Sequence, residues 1–146
     1  STTVGVLGAG GAAAAVVAAV SAWPESRVLL ANRTASRAEA LCERFSSVAS
    51  ASDPARLARE CNLVVNATSV GLRDDTMPIE PSTLRTDAAV LDLVYRRGET
   101  AWVRAARARG LRARDGLVML IEQGAAAFEL WFGFPPDRDA MWSAVR

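Results

Sequence analysis

Short apolar runs alternate with longer amphipathic or alanine-rich stretches along the whole chain. "TVGVL", "RVLLA", "LVVN" and "AAVLDLV" are the apolar runs, and "GAAAAVVAAV", "ASRAEALCERF" and "TAWVRAARARG" stand between them. Compact runs bounded by turn formers suit strands buried on both faces, whereas the longer stretches suit helices. The pattern predicts strands over Thr3–Leu7, Arg27–Ala31, Val48–Ala51, Leu63–Asn66, Ala89–Val94 and Leu111–Arg114. Helices are predicted from Gly11 to Ala22, from Ser36 to Phe45 with Thr34 as N-cap, and from an Asp53 N-cap with Pro54 at the first position to about Cys61. Further helices run through "TAWVRAARARG" to a stop at Gly110, from Leu117 to Phe132, and from Asp137 to Val145. Arg73 to Asp87 reads as irregular. Strands alternating with helices predict an α/β fold, a Rossmann-like doubly wound parallel sheet of about six strands with C-terminal helices, whose ligand belongs at the C-terminal strand ends.

Composition narrows the partners. A chain of 146 residues that is 51% hydrophobic suits one domain with a layered core. A net charge of +1 without a one-signed run argues against nucleic acid and against a membrane surface, which leaves small molecules. No apolar run reaches the roughly 18 residues of a membrane span, and "STTVGVLG" has no charged segment before an apolar one, so a cytoplasmic protein is expected. Cys42 and Cys61 lack metal-ligand or CxxC spacing and read as reduced core thiols. All 17 basic residues are arginine; without lysine or histidine the chain lacks the side chains most used for proton transfer near neutral pH. If it holds a redox cofactor, it reads as half of an enzyme.

The candidate chemistry begins at "LGAGGAAAA". Gly8 permits a tight strand-to-helix turn, Gly10 lets a pyrophosphate approach the backbone, and Ala13 takes the third small position where helix and sheet pack closely. The phosphates would meet free N–H groups at the helix N-terminus. The plainer alternative is a turn kept small for packing alone. About twenty residues on, where an acid would hold the ribose of NAD, stands "LLANRT". Asn32 carries no charge to repel a 2′-phosphate. Arg33 can stack on adenine or fork onto phosphate, Thr34 offers a hydroxyl, and Arg37 approaches from the next turn. NADP rather than NAD is therefore expected; the alternative is a solvated arginine pair at a helix start.

Taken in order, "GAGGAA", "NRTASRA", "NATSVGL", "LDLVYRRGET" and "DGLVMLIEQGAAAFELWFG" resemble the NADP-binding domain of the shikimate dehydrogenase family over nearly the whole chain. That family reduces 3-dehydroshikimate to shikimate with NADPH, on the way to chorismate and aromatic amino acids, in a cleft between two domains. The resemblance implies that Gly8, Ala9, Gly10, Gly11 and Ala12 hold the pyrophosphate, and Asn32, Arg33, Thr34 and Arg37 the 2′-phosphate end. Asn66, Ala67, Thr68 and Ser69 would line the ribose and the approach to the nicotinamide. Leu93 and the Gly116 backbone would lie near the nicotinamide, and Tyr95 and Gln123 would face the substrate. The family's catalytic Lys and Asp belong to an N-terminal substrate domain, so neither a catalytic residue nor a metal site is expected among these 146 residues. Residues 1–146 are expected to form the cofactor domain, binding NADP(H) without turnover.

Three positions depart from the family's pattern: Arg97 where Pro is frequent, Leu93 where Met is common, and Ala14 where Arg is frequent. Competing readings are a quinate dehydrogenase or a related shikimate dehydrogenase-like oxidoreductase, and a non-catalytic nucleotide-binding module. Phe128, Leu130, Trp131, Phe132 and Phe134 wrap more than one helical face, which predicts contact with the substrate domain or self-association of the chain alone.

Overall fold

The computed structural model describes residues 1–145. Six strands form one sheet: β1 (Thr2–Leu7), β2 (Ser26–Ala31), β3 (Ala49–Ala51), β4 (Leu63–Asn66), β5 (Ala89–Asp92) and β6 (Arg112–Arg114). All neighbours are parallel, in the order β3-β2-β1-β4-β5-β6, so the strand order reverses beside β1. The expected doubly wound sheet is present, and its switch point lies between β1 and β4.

Period-two alternation divides the strands' side chains between two cores. Val4, Val6, Val28 and Leu30 meet Ala13, Val17 and Val20 of α1 (Gly11–Ser21) and Ala38 and Leu41 of α2 (Ala35–Arg44). On the other face Leu29, Ala31, Val64 and Val90 meet Leu57 and Ala58 of α3 (Pro54–Glu60) and Trp102, Val103 and Ala106 of α4 (Ala101–Ala108). Burial on both faces is why β1 and β2 read as unbroken apolar runs. Each fully buried Val or Leu contributes roughly 1.5–3 kcal/mol of transfer free energy.

The helix ends follow local chemistry. Asp53 accepts from the Arg56 N–H at 2.9 Å with Pro54 at the first position, and Thr100 caps α4 through the Val103 N–H at 3.3 Å. β1 and β2 begin one residue earlier than expected, at Thr2 and Ser26, and three other strand boundaries fall inside the expected ones, each because a backbone N–H is used elsewhere. The Val94 N–H goes to the Asp92 carboxylate, so β5 stops at Asp92; the Leu111 N–H closes α4 on Ala106, so β6 begins at Arg112. The Val48 N–H turns back onto Phe45, delaying β3 to Ala49. Residues 67–88 carry only a single 3-10 turn, Pro81–Thr83, as the irregular segment predicted.

Two apolar regions lack cover. On the α1 side the helices stop at β1, leaving Leu63, Leu91 and Leu93 half-exposed, with Leu63 and Leu91 lining cavities of about 650 and 460 Å³ along β5, β6 and the first turn of α5 (Leu117–Phe132). At the far end of α5, Leu130 is 83% and Trp131 74% exposed, and the Phe128 ring packs tilted against Phe132 at 4.6 Å and edge-on to Phe134 at 5.4 Å. α6 (Arg138–Val145) packs against α5, where Met141 approaches Gly124.

Candidate functional site

Beyond the last strand residues the backbone ladder continues into the loops. Gly8 N–H donates to Ala31 at 2.8 Å, Ala67 N–H to Leu7 at 2.8 Å, Leu93 N–H to Asn66 at 3.0 Å and Gly116 N–H to Val94 at 3.3 Å. These bonds stitch the predicted site loops into one rim at the C-terminal edge of the sheet. The sequence placed the loops at the ends of separate strands; parallel pairing brings them side by side.

Gly8 is required by the protein itself. Its φ is +111°, and a Cβ there would stand 2.7 Å from the Ala67 carbonyl oxygen. Gly10 and Gly11 are different: neither has a positive φ, and a Cβ on either meets nothing within 4 Å. Neither turn geometry nor packing calls for glycine at these two positions. Gly10 is the N-cap of α1, no side chain caps the helix, and its first turn holds no acid. The unspent N–H groups of that turn, with the helix dipole behind them, favour an anion. Ala9 is half-buried and Ala12 exposed beside this cradle, while Ala13 is fully buried against the sheet, as the third small position requires.

At the end of β2 the Asn32 amide donates to the Thr34 carbonyl at 2.9 Å, curling the loop back. Thr34 sits at the N-cap of α2, but its hydroxyl makes no capping bond and is available. Arg33 and Arg37 are exposed and form no ion pair among the described residues. A cavity of about 390 Å³ joins Gly8, Asn32, Arg33, Thr68, Ser69 and Pro78. Arg37 lines an adjoining groove of similar size with Gly10, Gly11 and Ala14. The two arginines that the sequence assigned to one phosphate thus open onto neighbouring cavities that share the glycine turn.

A buried carboxylate that the sequence reading passed over organises the other half of the rim. Asp92 and Asn66 are paired in register across β4 and β5, both fully buried. Asp92 accepts from the Asn66 amide at 2.9 Å, the Val94 N–H at 3.0 Å and the Thr100 hydroxyl at 2.7 Å. Asn66 also donates to the Val70 carbonyl at 3.1 Å, and its oxygen accepts from the Thr68 N–H and hydroxyl at 3.1 and 2.6 Å. Thr68 in turn accepts from the Val70 N–H at 3.0 Å. One carboxylate therefore ties together the loop after β4, the loop after β5 and the cap of α4. Burial pushes the Asp92 carboxyl above its usual range, with its hydrogen bonds opposing the shift. The available signal was an acid inside the apolar run "VLDLV", a type rarely buried without partners.

This network corrects one expectation and reshapes two. Asn66 has no exposed surface and every side-chain polar atom engaged, so it braces the loop rather than lining a ligand. Ala67, Thr68 and Ser69 remain on the rim, Ser69 the most open. The Tyr95 hydroxyl donates to the Val145 carbonyl of α6 at 2.9 Å, tying it to the C-terminal helix. Gln123 stands exposed on α5. Leu93 is half-buried, and its carbonyl lies so close to Gly116 that a Cβ there has no room, which fixes the start of α5 against the rim. Among the described residues no cluster of His, Cys, Asp or Glu could hold a metal ion. Cys42 and Cys61 are free and buried, and desolvation pushes the Cys61 thiol up to about 11.

Comparison with known proteins agrees with this geometry. The family profile for shikimate / quinate 5-dehydrogenase matches residues 1–73, and that for the shikimate 5′-dehydrogenase C-terminal domain matches residues 116–146. The chain is 46% identical over 142 residues to the NADP(+) shikimate dehydrogenase of Thermus thermophilus, covering 97% of this chain and 52% of that one. The solved shikimate 5-dehydrogenase of Thermus thermophilus, in complex with NADP(H) and shikimate, superposes with a TM-score of 0.86 at 44% identity, over 98% of this chain and 54% of the other. Quinate dehydrogenase from Corynebacterium glutamicum, in complex with NAD, superposes with a TM-score of 0.85 at 33% identity, over 96% and 53%. The chain thus spans about half the length of the curated relatives it matches.

Proposed function

The chain belongs to the shikimate dehydrogenase family, and from that premise we propose that it is the NADP(H)-binding half of a shikimate dehydrogenase. One observation carries the reading: two glycines with open space before them adjoin a rim that presents an amide, a hydroxyl and two arginines without an ion pair among the described residues, instead of an acid. Gly8, Ala9, Gly10, Gly11 and Ala12 would hold the pyrophosphate, and Asn32, Arg33, Thr34 and Arg37 the 2′-phosphate end. Ala67, Thr68 and Ser69 would line the ribose and nicotinamide, with Leu93 and the Gly116 backbone beside the ring. When bound, the cofactor supplies the hydride; this chain's residues orient it and fix which face it presents.

The chain has neither lysine nor histidine, and the proton that accompanies reduction of 3-dehydroshikimate would come from the Lys and Asp of a substrate domain, as the family resemblance implies. Tyr95 and Gln123 would meet the substrate from this side, Tyr95 keeping an acceptor lone pair while it donates to Val145. The open sheet face and the aromatic end of α5 support further polypeptide against this half, and in its absence the chain would self-associate through α5. Two buried free thiols suit a reducing cytoplasm. A quinate-type preference for NAD fits poorly with a neutral Asn32 followed by Arg33. The test is to titrate the chain with NADPH while following quenching of its tryptophan fluorescence, then to add 3-dehydroshikimate and follow NADPH absorbance. Saturable binding without turnover is expected. Absence of binding, or turnover by the chain alone, would overturn the assignment.

A further inference from the structure

Arg44 belongs to neither of the motifs that mark the cofactor site, yet it lines the groove of about 390 Å³ that runs from the glycine turn between α1 and α2. One wall of this groove is Gly10, Gly11 and Ala14, with no side chain beyond a methyl; the other is Arg37, Ala40, Leu41 and Arg44. Positions 37, 40, 41 and 44 are spaced i, i+3, i+4 and i+7, so both arginines rise from one face of α2. Their Cα atoms are about 10.5 Å apart along the axis, from seven rises of 1.5 Å. Helical side chains lean toward the N-terminus, which carries Arg44 toward Arg37 and the glycine turn. Both arginines therefore line the same groove as the glycine turn.

Charge points the same way. The groove's lining contains two cations and no acid, and neither arginine forms an ion pair among the described residues. Elsewhere Arg96 pairs with Asp75, Arg107 with Glu99, and Arg109 donates to the Pro81 and Leu84 carbonyls. The Arg44 guanidinium carbon lies 5.7 Å from the centroid of the Phe45 ring, a cation–π contact and not an ion pair. The partner such a groove recognises is a dianionic phosphate monoester, which can accept from two guanidinium forks at once.

We propose that Arg44, together with Arg37, binds the adenosine 2′-phosphate in the α1–α2 groove and is a determinant of NADP over NAD selectivity. This rests on the NADP reading above, and the test keeps the two apart. Unmodified chain, Arg44→Ala and Arg44→Lys would each be titrated calorimetrically with NADP, NAD and adenosine 2′,5′-bisphosphate at fixed salt. Arg44→Ala is expected to weaken NADP and the bisphosphate by about five- to tenfold while changing NAD less than about twofold, with Arg44→Lys recovering part of the loss. Unchanged NADP affinity, or an equal loss for NAD, would overturn the role of Arg44 while leaving the cofactor assignment standing. Failure of the unmodified chain to prefer NADP over NAD would overturn the reading beneath it and the proposal with it. An unchanged urea midpoint for Arg44→Ala separates a lost phosphate contact from a disturbed α2.

Discussion

Replacing Asp92 with alanine removes a single carboxylate but strands three buried donors: the Asn66 amide, the Val94 N–H and the Thr100 hydroxyl. Each unsatisfied buried donor costs about 1–3 kcal/mol. Simple addition gives about 3–9 kcal/mol, and the lower half is expected because the loop after β4 can relax and admit water. A loss of about 3–5 kcal/mol is a large part of the roughly 5–15 kcal/mol that holds a domain of this size together. Asp92→Asn keeps the shape and one acceptor oxygen, so its cost should be smaller, about 1–3 kcal/mol. Urea unfolding followed by tryptophan fluorescence and circular dichroism measures both.

The pH dependence of the same pair is a second readout. The folded pKa of Asp92 lies above the ordinary 3.8, so its contribution is fully present below that value and is lost as pH rises through the raised folded pKa. The stability advantage of the unmodified chain over Asp92→Asn should therefore shrink as pH climbs through that window and level off above it. An Asp92→Ala variant within about 1 kcal/mol of the unmodified chain, a figure typical of an ordinary single substitution, would refute the view that this carboxylate organises the rim.

Four further outcomes follow. Gly11→Ala should leave the fold as stable or raise it by about 0.5–1 kcal/mol, because a helical alanine replaces glycine in open space; NADPH affinity should nevertheless collapse, as fluorescence titration would register. Gly8→Ala should fail on both counts, since its φ of +111° and the Ala67 oxygen 2.7 Å from a Cβ leave no relaxed position, and thermal unfolding together with the same titration measures this. Cys61, raised to about 11, and Cys42, also raised, should both resist a thiol reagent at pH 8 until urea is added; rapid native labelling would contradict their burial. Leu130→Ser with Trp131→Ser should shift concentrated chain toward monomer in sedimentation velocity if the exposed end of α5 mediates self-association.

β1 and β2 were legible because burial on both faces writes them as unbroken apolar runs, and the glycine turn and the loop at Asn32 were legible because each is a local motif. Their spatial meeting was not written locally. The Asn66–Asp92 bond spans 26 residues and exists only because β4 and β5 pair in that register. Asn66 therefore read as a ligand-lining residue when its partners had already claimed it. Tyr95 and Val145 are 50 residues apart, and nothing in either neighbourhood announces their bond. Arg33 and Arg37 are close enough in sequence to suggest one phosphate, but the glycine turn sits between the cavities they line. The uncovered half of the sheet was hidden for a simpler reason: a run such as "AAVLDLV" looks the same whether or not a helix lies over one of its faces.

The central claim is that the rim selects a 2′-phosphorylated dinucleotide, and calorimetric titration of this chain with NADP and with NAD at identical salt tests it most directly. A preference for NADP of about tenfold or more corresponds to the 1.4 kcal/mol or greater that one charge-assisted contact supplies, and is the result predicted. Equal affinities, or tighter binding of NAD, would contradict it.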